Sequence, residues 1–334
     1  MKYTKLILSV SLLLLIGYLY DKYKSNLDKD KQFEDFEIVR KYLLGESKQI
    51  NELRNSKKPI LWIHINYEKN SRNWQSFFSR SNSNLNLPYY YFTLKSIISK
   101  NNDDFNICII DDSALTKLLE REEYEYNLEQ ISDPKKKNVR LLGLAKLVNK
   151  YGGLIIPPSF LCFESLKPIN SILENNIVVF GENKNNSVSY DQYPVVPDCK
   201  IFGSTKNNDK LINFIEYLEN IVNNNYTDEV SFNGNINNYL LNQLRKNEIA
   251  IIKSEYLGIK NKENKEIYID DLLSTKIIEF NENTYGLYVP NEILLNSTHY
   301  NWFCYLSINE ILESECILAK LLVINCDNKN FIQK

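Results

Sequence analysis

Histidine is nearly absent: His64 and His299 are the only two in 334 residues, which leaves no basis for a His-rich zinc site. The six cysteines, Cys108, Cys162, Cys199, Cys304, Cys316 and Cys326, lie far apart, and none of the paired spacings of metal or redox sites occurs. Cys108 and Cys162 stand inside apolar runs and read as buried thiols. The even cysteine count does not identify an oxidising compartment. An excess of positive charge is missing too. Lys and Arg number 40 against 42 Asp and Glu, for a formal net charge of -2, so nucleic acid is not an expected partner. No Gly-x-Ser-x-Gly elbow or hydrolase triad stands out, and no internal repeat is found.

What is present is a chain long enough, and apolar enough at 43% hydrophobic residues, to bury one large core, with or without a smaller addition. It is rich in Asn, Lys, Ile and Tyr. Asparagine is therefore weak evidence wherever it stands.

Residues Leu6 to Tyr20, "LILSVSLLLLIGYLY", carry no charge and are bracketed by Lys5 and Asp21-Lys22. The run is shorter than the roughly 20 residues that cross a typical bilayer, but snorkelling lysines and border tyrosines suit a thin one. The exit "GYLYDKYKS" has bulky residues where a signal peptidase needs small ones. The reading adopted is an uncleaved N-terminal anchor over 1–20; a cleaved signal and a peripheral helix are the alternatives. Lysines on both sides decide little about orientation, and the bet is a lumenal or external main domain. Asn185, Asn225 and Asn296 would then be glycan acceptors by their triplets. From 21 to 56 the chain is charged, with Phe33, Phe36, Val39, Tyr42 and Leu43 at helical spacing, which predicts a helical stalk or a helix lying on the next domain.

From 57 to 334, candidate strands ("PILWIHI", "FNICII", "GGLII", "NIVVF", "CKIFG", "EIAII") alternate with helical stretches such as "NVRLLGLAKLVNKY" and "NDKLINFIEYLENIVNN". This predicts an α/β domain with a mainly parallel sheet. Leu141, Leu144, Ala145, Val148 and Tyr151 read as one apolar helix face. The tail "INEILESECILAKLLVI" reads as one final packed helix, since its charges disfavour a membrane span.

In such sheets ligands bind beyond the carboxyl ends of strands, and three endings carry candidates. The first offers His64, Arg72 to hold phosphate and Trp74 to stack on a base or sugar; its plainer reading is a polar loop anchored by a buried tryptophan. The second is Asp111-Asp112, which can bind a divalent cation or sugar hydroxyls, or cap the next helix. The third is "NKYGGLIIPPSF", a helix end, a Gly-Gly turn and a short strand leading into Pro157-Pro158-Ser159.

The stretch "VRLLGLAKLVNKYGGLIIPPSFLCFESL" resembles the sugar-binding region of Asp-x-Asp glycosyltransferases with the type A, Rossmann-like fold. Taken whole, the chain looks most like glycosyltransferase-like proteins of giant DNA viruses. In the Asp-x-Asp glycosyltransferases Tyr-Gly-Gly leads to a strand and then to Asp-x-Asp, which binds the metal bridging the donor phosphates, whereas the viral relatives share the altered motif. Tyr151, Gly152 and Gly153 match the turn, while Pro157, Pro158 and Ser159 occupy the motif's place. The helix departs as well, with Leu141 and Leu144 where the family has an Asp and an Arg, and Arg140 just outside. The resemblance implies a nucleotide-sugar donor, a glycan acceptor and a place in host endomembranes or the virion. The departures leave only the neutral, weakly ligating Ser159 hydroxyl at Pro157–Ser159, so Mn²⁺ or Mg²⁺ would need other carboxylates. Candidate catalytic residues are Asp111, Asp112 and Asp191; candidate binding residues are His64, Arg72, Trp74, Arg140, Tyr151, Gly152, Gly153 and Ser159. Sugar transfer by a non-standard site and a catalytically inactive binding domain both stay open. Two successive prolines favour an extended strand exit.

Overall fold

The computed structural model describes residues 58–65, 87–182, 196–224 and 229–326. The predicted anchor and stalk, and with them Arg72, Trp74, Asp191, Asn185 and Asn225, lie outside the described residues. Among the described residues no helix is long and apolar enough to cross a membrane.

Among the described residues eight strands form two sheets. The larger runs in the order β2 (Asn106–Ile110), β1 (Ile60–His64), β3 (Gly153–Ile156), β6 (Pro197–Ser204), β5 (Val178–Glu182), β7 (Ile249–Ile252). β1 lies parallel to both β2 and β3, and β5 parallel to β7, while β6 runs antiparallel to β3 and β5. The domain is therefore mixed α/β with a largely parallel central sheet. The smaller sheet pairs β4 (Phe160–Cys162) with β8 (Gly286–Tyr288), antiparallel.

The helices follow from the sequence periodicities. α1 (Tyr90–Asn101) crosses between β1 and β2; α2 (Asp112–Glu123) and α3 (Lys135–Tyr151) lie between β2 and β3. α4 (Lys167–Leu173) precedes β5, and α5 (Asp209–Asn223) and α6 (Glu229–Arg245) precede β7. Strand alternation divides the core: Ile60 and Trp62, Cys108 and Ile110, Phe180 and Phe202 belong to the cluster that packs α2, α3, α5 and α6. Their neighbours Leu61, Ile63, Ile107 and Ile109 are equally buried and, by the two-residue period, face the other side. A second cluster gathers α1, the smaller sheet and the C-terminal helices.

The predicted single final helix is two, α9 (Ile308–Glu313) and α10 (Ile317–Cys326), after the short α7 (Ile269–Leu273) and α8 (Asn291–Asn296). Ser307 and Glu310 form a reciprocal capping box that starts α9, and Ser314 leaves the helical conformation at ψ 136°. The α3 face differs from the expected one as well. Val139, Leu142, Ala145, Leu147, Val148 and Tyr151 are buried, whereas Leu141 and Leu144 are only half-buried and turn to an open cleft. All six cysteines are free, and burial pushes the Cys108 and Cys162 thiols up to about 12.

Candidate functional site

Because β1, β2 and β3 are parallel, His64, Asp111 and Pro157 all leave the sheet at one edge. The antiparallel strand β6 pairs Ile155 with Phe202, so its earlier residues Asp198, Cys199 and Lys200 project past the same edge. A cleft of about 580 Å³ opens there. Its floor is Ile155 to Ser159, and its walls include His64, Arg140, Lys137, Lys200, Tyr288 and Glu292. Leu141, Leu144 and Phe232 supply apolar surface.

The Asp-Asp pair splits by role. Asp111 takes an extended backbone and its carboxylate accepts from the Ala114 amide at 2.7 Å, the N-cap of α2. Asp112 lies in the first turn and binds two cleft residues. Arg140 donates to it through Nε at 2.7 Å and Nη2 at 2.8 Å, and His64 Nε2 lies 2.9 Å from Oδ1. Lys136 adds its charge 3.6 Å away. Burial alone would raise the Asp112 pKa, but the hydrogen bonds from Arg140 and His64, with the Arg140 charge, hold it well below the usual carboxylate range. His64 is shifted down, burial outweighing the pull of Asp112. A neutral imidazole facing a carboxylate must present N–H at Nε2, which leaves the Nδ1 lone pair unprotonated. Asp112 thus orients His64 and Arg140 from behind; it is not among the residues lining the cleft.

Pro157-Pro158-Ser159 makes a tight turn. The Phe160 amide donates to the Pro157 carbonyl at 3.1 Å, closing a four-residue turn with Pro158 at its second position, where proline's fixed φ is favoured. The expected extended exit is therefore a reversal, and it hands the chain from the larger sheet to the smaller. Thr93 Oγ1 donates to the Pro158 carbonyl at 2.6 Å and ties the turn to α1. Ser159 is buried and lines the cleft floor.

Tyr151, Gly152 and Gly153 stand at the amino end of β3, opposite the cleft, and are not among its lining residues. Their geometry is architectural. Tyr151 is buried and donates to the Leu118 carbonyl at 3.1 Å. Gly152, at φ +73°, offers its carbonyl to the indole N–H of Trp62 at 2.9 Å. Gly153 has φ +112°, and a Cβ there would stand 2.3 Å from the Ile60 carbonyl oxygen. Glycine is required where β3 docks on β1.

Lys200, Tyr288 and Glu292 are among the cleft residues that sequence reasoning missed. Between β5 and β6 the register jumps from Phe180↔Phe202 to Gly181↔Asp198, a bulge that leaves Cys199, Lys200 and Ile201 without partners on β5. Lys200 Nζ stands 5.5 Å from the centre of the Tyr288 ring and 3.4 Å from Glu292. Burial disfavours the Lys200 charge, yet Tyr288, Asp198 and Glu292 outweigh it and raise its pKa. Burial likewise raises that of Tyr288. Among the described residues no group of three or more His, Cys, Asp or Glu is placed to hold a metal ion. No protein-family model matches this chain, and no curated protein does.

Proposed function

We propose that the cleft binds a nucleotide sugar and that the protein is a membrane-anchored glycosyltransferase in which side-chain cations take the place of a metal. The observation that carries this reading is the convergence of Arg140, Lys137 and Lys200 on a cleft at the carboxyl edge of the sheet, where open α/β folds bind ligands. In the transfer an acceptor hydroxyl oxygen attacks the anomeric carbon as its bond to the diphosphate breaks. The charge developing on the departing diphosphate is what such cations stabilise. With Asp111 spent on a cap, Asp112 on Arg140 and Asp191 outside the described residues, the described group assigned the proton of the attacking hydroxyl is His64, whose Nδ1 lone pair is kept by the Asp112 bond. Mn²⁺ or Mg²⁺ would enter only if carboxylates outside the described residues complete a site. The uncharged N-terminal run supports membrane attachment, with the domain on the lumenal or external side, in host endomembranes or a virion.

One observation favours a second reading, a catalytically inactive domain that binds a glycan, protein or virion component: Leu141 and Leu144 line the cleft where the resembling family carries charge. Calorimetric titration of full-length protein with UDP and with GDP in excess EDTA separates the cases. One nucleotide is expected to bind without metal, and Lys200→Ala to weaken it tenfold or more, as loss of a charged hydrogen bond does. Absence of binding by both at millimolar concentration sinks the donor reading. Binding without transfer from the matching sugar nucleotides to any acceptor favours the inactive domain.

A further inference from the structure

A second cavity of about 290 Å³ adjoins the cleft, and Lys200, Tyr288 and Glu292 line both. It is built from a different part of the chain: Tyr268 and Asp270 at the start of α7, Glu266 before them, and Tyr300 near the 3-10 turn Asn301–Tyr305. Tyr300 donates to Asp270 at 2.8 Å and Tyr268 to Glu266 at 3.2 Å, so each carboxylate is fixed by a phenol and keeps lone pairs for further donors. Tyr268 is 54% exposed, as is common for a ring that offers a flat apolar face to a ligand.

We infer that this cavity is a second carbohydrate subsite, which takes the neutral saccharide acceptor and presents its hydroxyl to the cleft across the Lys200–Tyr288–Glu292 wall. The chemistry of the lining selects the ligand. Sugar hydroxyls donate to Glu266 and Asp270, and C–H faces of the ring pack on Tyr268. The lining carries three carboxylates, Glu266, Asp270 and Glu292, against one ammonium, Lys200, and Glu292 already engages both Lys200 at 3.4 Å and Lys137 at 4.0 Å. An anionic sugar is therefore repelled and a neutral one accepted. The acceptor role rests on the donor reading of the cleft; the saccharide subsite itself does not.

Saturation-transfer NMR on the full-length protein tests it with cellobiose, lactose, maltose and N-acetyllactosamine as neutral probes and 3′-sialyllactose as the anionic one. At least one neutral disaccharide is expected to bind. Tyr268→Ala and Asp270→Asn, both at exposed positions, should weaken it tenfold or more while leaving UDP or GDP affinity within twofold. The inference is overturned if no neutral probe binds, if both variants bind as the parent does, if the anionic probe binds more tightly, or if a nucleotide displaces the disaccharide competitively. Disaccharide binding with no nucleotide binding would instead remove the donor reading and leave the subsite standing.

Discussion

At the level of single residues, Asp112 holds the cleft's basic side together. Its carboxylate accepts both bonds of a forked Arg140 contact and faces the His64 imidazole, a geometry that neither lysine nor an amide reproduces. Asp112→Asn turns one acceptor into a donor aimed at Arg140 and should cost about 2 to 3 kcal/mol, seen as a lower urea midpoint. The pH dependence has a definite sign. His64 has its pKa below 6.5 when folded, so the unfolded chain takes up that proton first and this stabilisation declines as pH falls below about 6.5. Asp112, depressed from 3.8, contributes stability that is full above about pH 3.8 and is lost as pH falls toward its lower folded value. Denaturant midpoints recorded from pH 8 to 2 should fall in two stages, the lower one beginning only below about pH 3.8, and His64→Gln should remove the upper one. The sequence identified Asp111 and Asp112 as either cap or ligand. Which carboxylate did which depended on Arg140, 28 residues away, and no local pattern encodes that distance.

At the level of elements, the Tyr-Gly-Gly match predicted the end of α3 and the start of β3, because helix period and paired glycines are local signals. It did not predict that these residues stand at the far end of the strand from the cleft. Gly153→Ala should be strongly destabilising, by about 3 kcal/mol, from the positive φ together with overlap on the Ile60 carbonyl; thermal unfolding measures it. The turn after β3 was misread as extended because proline's φ suits both forms, and the Phe160-to-Pro157 bond decides between them. Among the described residues no ready-made group of three or more His, Cys, Asp or Glu stands where carboxylates on that turn could join it. The double variant Pro157→Asp and Ser159→Asp is accordingly expected to gain no tight Mn²⁺ site by calorimetry. A folded variant that binds Mn²⁺ tightly and gains sugar transfer would mean that the donor site is otherwise intact. Lys200, Tyr288 and Glu292 were illegible for the same nonlocal reason: a bulge aims the first, and pairing of β4 with β8 delivers the second.

For the whole molecule, the α/β class was legible because strand and helix periods alternate through the chain, whereas the antiparallel placement of β6 was not, since adjacent elements carry no label of direction. The proposed membrane attachment rests on the uncharged N-terminal run. Alkaline extraction should leave the full-length protein in membranes and release a chain beginning at Lys57; equal release of both would remove the anchor. The sheet order also bears on synthesis. β1 lies between β2 and β3, yet Trp62 meets its Gly152 partner only across 90 residues of sequence. A nascent chain therefore carries Leu61, Trp62 and Ile63 with one edge unpaired until β3 has left the ribosome. Such long-range parallel pairing is slow and open to aggregation, and the interval between β1 and β3 is where a chaperone would be needed most.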